Sequence, residues 1–113
     1  MKLKHISTPY PGFVYIFSAW DKRDEKTRRP TKIGFCHERP EGKDVVYKRL
    51  NEIQRHHWNE LYIDYISKGK IAANEIENDI HRKYINFNIR GEWFILTDRQ
   101  IKNIVKYIEG VKI

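Results

Sequence analysis

The sequence is nearly free of cysteine. Cys36 stands alone, so no disulfide can form within the chain, and a zinc site built on several thiolates is excluded. Long apolar runs are also missing. The best of them, Phe13-Val14-Tyr15-Ile16-Phe17, is far shorter than the roughly 20 residues that cross a bilayer. Residues 1–12 lack the apolar core of a signal peptide, so an intracellular protein with no membrane contact is expected. Acidic residues are in deficit. Fifteen Asp and Glu face 22 Lys and Arg, a net charge of +7, and such a field favours a polyanionic partner, nucleic acid before an acidic protein. No repeat, low-complexity stretch or linker divides the 113 residues, so one domain over residues 1–113 is expected.

What is present reads as a small α+β fold. Residues 12–18, GFVYIFS, alternate as a strand with Phe13, Tyr15 and Phe17 on one face and Val14 and Ile16 on the other. A charged loop follows. Then residues 31–36, TKIGFC, resume as a strand with Thr31, Ile33 and Phe35 on one face and Lys32, Gly34 and Cys36 on the other. The two strands suit an antiparallel hairpin with a long tip. Pro40 and Gly42 break the next segment, and Asp44 is placed to cap a helix over residues 45–57 with Val46, Leu50, Ile53 and His57 on one stripe. ELYIDYIS alternates as a third strand. A second helix carries Ala73, Ile76, Ile80 and Tyr84 on its apolar stripe, GEWFIL is a short extended piece, and Thr97 with Gln100 forms a capping box for a last helix burying Ile101, Ile104, Val105 and Ile108. Gly110 is a natural stop. The expectation is a three-stranded antiparallel sheet flanked by helices, in the order β-β-α-β-α-α.

Several residues carry more than one reading. Arg49 lies about 60° around its helix from Ile53, so it either snorkels over the core or offers a planar fork to a phosphate. Glu77 borders the second apolar stripe with His81 one turn on. Such a carboxylate can hold a hard divalent cation or join a surface ion pair. Tyr15 sits among aromatics, as a core ring or as an acid–base group if Lys32 and Arg49 lower its pKa. His56 and His57 point about 100° apart on a helix, which suits packing and a basic patch rather than chelation.

The order of these elements resembles the GIY-YIG nuclease superfamily, and within it the branch named for a phage Orf172-type DNA-binding domain, akin to the meiotically up-regulated gene family. The segments are GFVYIF, TKIGFC, YKRLNEI, AANEIENDIHRKY and GEWFILT, spanning residues 12–97. Val14-Tyr15 stands at the Ile-Tyr of the first motif and Ile33-Gly34 at the Ile-Gly of the second, with Lys32 in place of that motif's tyrosine. Arg49 matches the helix arginine, Glu77 the metal-binding glutamate, and His81 and Gly91-Glu92-Trp93-Phe94 match positions typical of the branch. The loop between the two motifs is longer than the family's usual spacing.

The resemblance implies a DNA endonuclease with Mg²⁺ or Mn²⁺ held by Glu77, and Tyr15, Lys32, Arg49, Glu77 and His81 as the catalytic set. Lys32 would keep Tyr15 partly ionised or orient the attacking water. The alternative it implies is a DNA-binding module of the same fold without catalysis. In either case Lys22, Arg23, Lys26, Arg28 and Arg29 at the hairpin tip, with Lys48 and Arg55, would meet phosphates. A double-strand break would need a homodimer or a partner protein.

Overall fold

The computed structural model describes residues 9–19, 28–57 and 60–111. Strand β1, Gly12–Ser18, is buried along its whole length and pairs antiparallel with β2, Arg29–His37. Helix α1, Asp44–Gln54, leads to strand β3, Tyr62–Ile66, on the far side of β1. Helix α2, Ala73–Lys83, is followed by a short 3-10 turn, Ile85–Phe87, the hairpin of β4, Asn88–Arg90, and β5, Trp93–Leu96, and helix α3, Asp98–Gly110.

The sheet has five strands in the order β3-β1-β2-β5-β4, not the three expected. The piece GEWFIL is more than an extended tail: Trp93–Leu96 pairs with residues 29–32 of β2. Asn88–Arg90 pairs back on it across Gly91, whose φ of +54° suits glycine. Three residues are too few to show alternation, which is why β4 has no signature in the sequence.

The two faces of β1 found in its alternation become two cores. Val14 and Ile16 join Ile33, Ala73, Ile76, Ile80, Phe94, Leu96, Ile101, Ile104 and Ile108 under α2 and α3. Phe13, Tyr15 and Phe17 join Cys36 and Val46 under α1. Each fully buried aliphatic side chain contributes about 1.5–3 kcal/mol by leaving water. A side chain at Gly12 would run into the Cys36 carbonyl, so the close approach of β1 and β2 there requires glycine.

Thr97 and Gln100 close the expected capping box on α3, and Gly110 is its last helical residue. The start of α1 differs from expectation. Lys43 occupies the capping position with no side-chain bond, and Asp44 is already helical, where its charge favours the positive end of the helix dipole. At the other end the helix stops at Gln54, short of the expected 57, and His57 beyond it stacks on Trp93 at 5.1 Å.

No described helix is long and apolar enough to cross a membrane.

Candidate active site

The site lies where β2 runs past the end of β5. Residues 29–32 of β2 have β5 as a neighbour, and the Ile33 N–H donates to the Glu92 carbonyl at 3.1 Å. Backbone groups of alternate residues point to the same side of a strand, so the Ile33 carbonyl and the Phe35 N–H face that same edge with no strand beside them. Helix α2 covers them with side chains. The His81 ring donates from Nε2 to the Ile33 carbonyl at 2.8 Å, and the Phe35 N–H lies close to the Glu77 carboxylate.

Opposite this edge, Tyr15 pairs in register with Gly34. A Cβ at Gly34 would lie 2.6 Å from Tyr15 Cζ and 3.0 Å from Glu92 Oε1. The missing side chain is therefore the space through which the tyrosine reaches the edge. Arg49 on α1 is hydrogen-bonded to the Tyr15 hydroxyl and ion-paired with Glu52 at 3.5 Å. Arg49 and Glu92 both line an open cleft of about 430 Å³ with Phe35, Cys36, His37, Arg39, Val45, Lys48 and Glu52.

Glu92 links the groups. Its Oε1 takes a hydrogen bond from Lys32 Nζ at 2.8 Å, and its charge bears on both Tyr15 and Glu77. Glu77 is buried, and its Oε2 faces no hydrogen-bond donor. Burial, then the Glu92 charge and a proton shared with Glu92, push the Glu77 carboxyl up to about 8. Lys32 and the Phe35 N–H work the other way. Burial, with Glu92, likewise pushes the Tyr15 phenol above its ordinary 10, against the pull of Arg49. Burial raises the Cys36 thiol to about 11, so it is protonated and unreactive at neutral pH.

The fold thus gathers Tyr15, Lys32, Arg49 and Glu77 from two strands and two helices. Three expectations change. The Lys32 ammonium is bonded to Glu92 and lies 5.7 Å from the centre of the Trp93 ring, and the Tyr15 phenol is raised by burial rather than lowered by a neighbouring lysine. His81 is in place beside Glu77 on α2, but its Nε2 is spent on the β2 backbone and its ring packs on Phe94, so it braces the edge. Arg29 is 1% exposed and bonded inward to Ser18 and Asp98, which removes it from any outer surface.

Arg28, next to it, is exposed with its guanidinium 5.1 Å above the Phe87 ring. Lys48 is 65% exposed, paired with Glu41 at 3.0 Å and at the cleft. Arg55 is exposed just past the end of α1. Lys22, Arg23 and Lys26 lie outside the described residues. Arg39 at the cleft was not singled out in the sequence, and Glu92, also at the cleft, was named there only within the Gly91-Glu92-Trp93-Phe94 motif and given no role. For Glu92 the signal available was a charged residue opening an apolar strand immediately after a glycine turn.

Among the described residues no three His, Cys, Asp or Glu side chains converge on one point. Magnesium does not require such a cage, since it is held through one or two carboxylates, several waters and substrate phosphates. The Glu77 and Glu92 pair, one oxygen of it buried without a donor, fits that pattern.

Residues 12–109 match the T5orf172 domain. The chain belongs to this family, a group of DNA-binding, nuclease-like modules. No curated protein and no solved structure matches it.

Proposed function

We propose that this T5orf172 domain is a divalent-metal-dependent DNA endonuclease that hydrolyses phosphodiester bonds through a GIY-YIG-like site. The observation that carries the reading is Glu77. A buried carboxylate with an unbonded oxygen, crowded by a second carboxylate, costs stability, and a fold keeps such a group where a ligand completes it. Mg²⁺ or Mn²⁺ held by Glu77, with Glu92 beside it, would supply Lewis acidity toward the phosphate and its leaving oxygen.

The chain's own groups have distinct tasks in this reading. Arg49 offers the cleft a guanidinium fork and stabilises charge growing on the phosphate. Tyr15 holds a proton at its hydroxyl, fixed by Arg49, and aligns the attacking water. Lys32 neutralises Glu92 in the resting site, so that an anionic substrate meets less negative charge. Arg39, Lys48 and Arg55 are exposed cations available to flanking phosphates. One site cuts one strand, so a nick is the first product, and a double-strand break needs a second copy or a second visit.

The second reading is DNA binding without cleavage. It is favoured by the state of Tyr15, whose burial keeps the phenol protonated. Supercoiled plasmid incubated with Mg²⁺ or Mn²⁺, with EDTA, and with Glu77→Ala separates the two. The nuclease reading expects nicking by the wild-type chain with metal alone. Plasmid bound but left intact in both metals would give the decision to the second.

A further inference from the structure

The cleft carries aromatic rings that hydrolysis does not use. Phe35 and His37 are two apart on β2 and share a face, and both line the cleft beside Arg39, Lys48 and Arg49. Tyr10 completes the group. Its ring lies within 8° of parallel to Phe35, with centroids 6.5 Å apart, and meets His37 edge-on at 4.9 Å. His37 in turn meets Phe35 edge-on at 5.3 Å.

Tyr10 belongs to no strand, yet its backbone is tied at both ends of the residue. Its N–H donates to Asn74 Oδ1 at 2.8 Å, and its carbonyl accepts from the Ala73 N–H at 3.0 Å. The start of α2 therefore fixes the backbone of Tyr10, and its ring lies against Phe35 and His37. Tyr10 remains 44% exposed and His37 is exposed as well. Phe35 is half-buried against the core under α2 and α3, so the exposed rings of Tyr10 and His37 stand on a fixed base, with His37 at the cleft beside Arg39, Lys48 and Arg49.

We infer that Tyr10, Phe35 and His37 form a stacking platform for an unpaired base of a DNA strand whose phosphates lie on Arg39, Lys48 and Arg49. The inference rests on the reading of the chain as a DNA-acting protein and names its substrate class: DNA with a single-stranded segment rather than intact duplex. A duplex keeps its base faces stacked inside and presents phosphates and base edges. An unpaired base offers a free face to an aromatic ring, and cations beside such rings hold the backbone of the same strand.

Fluorescence anisotropy of the full chain in EDTA, where no cleavage intervenes, tests this with a labelled oligothymidine strand and a duplex of equal length. The strand is expected to bind at least about 10-fold more tightly. Tyr10→Ala is expected to weaken strand binding roughly 5- to 150-fold, the range of one lost stacking contact, with under about 2-fold on the duplex. Tyr10→Phe keeps the ring and should bind as wild type does. Because the bonds of Tyr10 to Asn74 and Ala73 are made by its backbone, the alanine variant retains them; His37→Ala, at an exposed position, gives an independent second reading. Equal affinity for strand and duplex, or variants that weaken both alike, overturns the platform while the DNA-acting role stands. Binding to neither probe overturns that role itself.

Discussion

Two buried clusters in this small protein each place two carboxylates near cations, and they end in opposite states. At the first, Arg29 donates from Nε to Ser18 at 3.0 Å and from Nη2 to Asp98 at 3.3 Å, and lies 3.7 Å from Asp64. Ser18 donates to Asp64, and Lys102 pairs with Asp98 at 3.1 Å. Burial opposes ionisation of Asp98, yet Lys102 and Arg29 hold its carboxyl below the usual value. At the second, Lys32 is bonded to Glu92 while Glu77 Oε2 faces no donor, and the Glu77 carboxyl is driven up. The first cluster ties β1, β2, β3 and α3 together. Asp64 Oδ1 and Glu77 Oε2 are both buried without a direct hydrogen bond, but Asp64 Oδ1 has the Arg29 guanidinium 3.7 Å away, whereas the Glu77 carboxyl is opposed by burial and by the Glu92 charge. The state of the charges inside, more than burial itself, separates a brace from a site.

The largest expected effect breaks the brace. Arg29→Ala leaves Asp64 and Asp98 buried without their cation and should cost about 3–5 kcal/mol in urea unfolding. A cost below about 1 kcal/mol would mean the cluster is not the brace described.

Next comes the space at Gly34. Gly34→Ala pushes a methyl against Tyr15, which is 1% exposed and stacked on Phe17 at 4.3 Å, so it has little room to yield. Overpacking of this kind should cost about 1–3 kcal/mol, and any nicking activity should fall with it as the hydroxyl leaves Arg49.

The third test has the opposite sign. At pH 4 and below, Glu77 is neutral in the folded and the unfolded chain. Between the ordinary 4.5 and about 8 the unfolded chain releases the proton and the folded chain keeps it, so stability falls as pH rises. Glu77→Gln removes that titration. It should match wild type near pH 4 and exceed it by about 4 kcal/mol near pH 8, read from denaturant midpoints at the two pH values.

The smallest effect concerns the rim. Lys48→Ala should change stability by less than about 1 kcal/mol, since its pair with Glu41 is exposed. It should also reduce the salt slope of DNA binding by about one.

Much of the frame was legible because local pattern and tertiary packing agree. The alternation of residues 12–18 assigns each side chain to the core it occupies, and Thr97 with Gln100 marks the start of α3. The pairing of Tyr15 with Gly34 follows from the hairpin and explains a glycine beside a lysine in mid-strand. What was not legible depends on distant partners. Arg28 and Arg29 are alike in sequence, and Arg29 is drawn inside by Asp64 and Asp98, which come from β3 and α3. Glu92 gains its place through the β5 pairing and the Lys32 side chain. Lys32 itself reads as a partner for Tyr15 until that glutamate is seen to hold it.

The central claim is that Glu77 is kept incomplete for the sake of chemistry. Nicking of supercoiled plasmid in Mg²⁺ by wild type and by Glu77→Gln, with stability at pH 8 measured on the same samples, tests it most directly. The account predicts a variant that is more stable than wild type and does not nick. A Glu77→Gln chain that nicks as fast as wild type would contradict it.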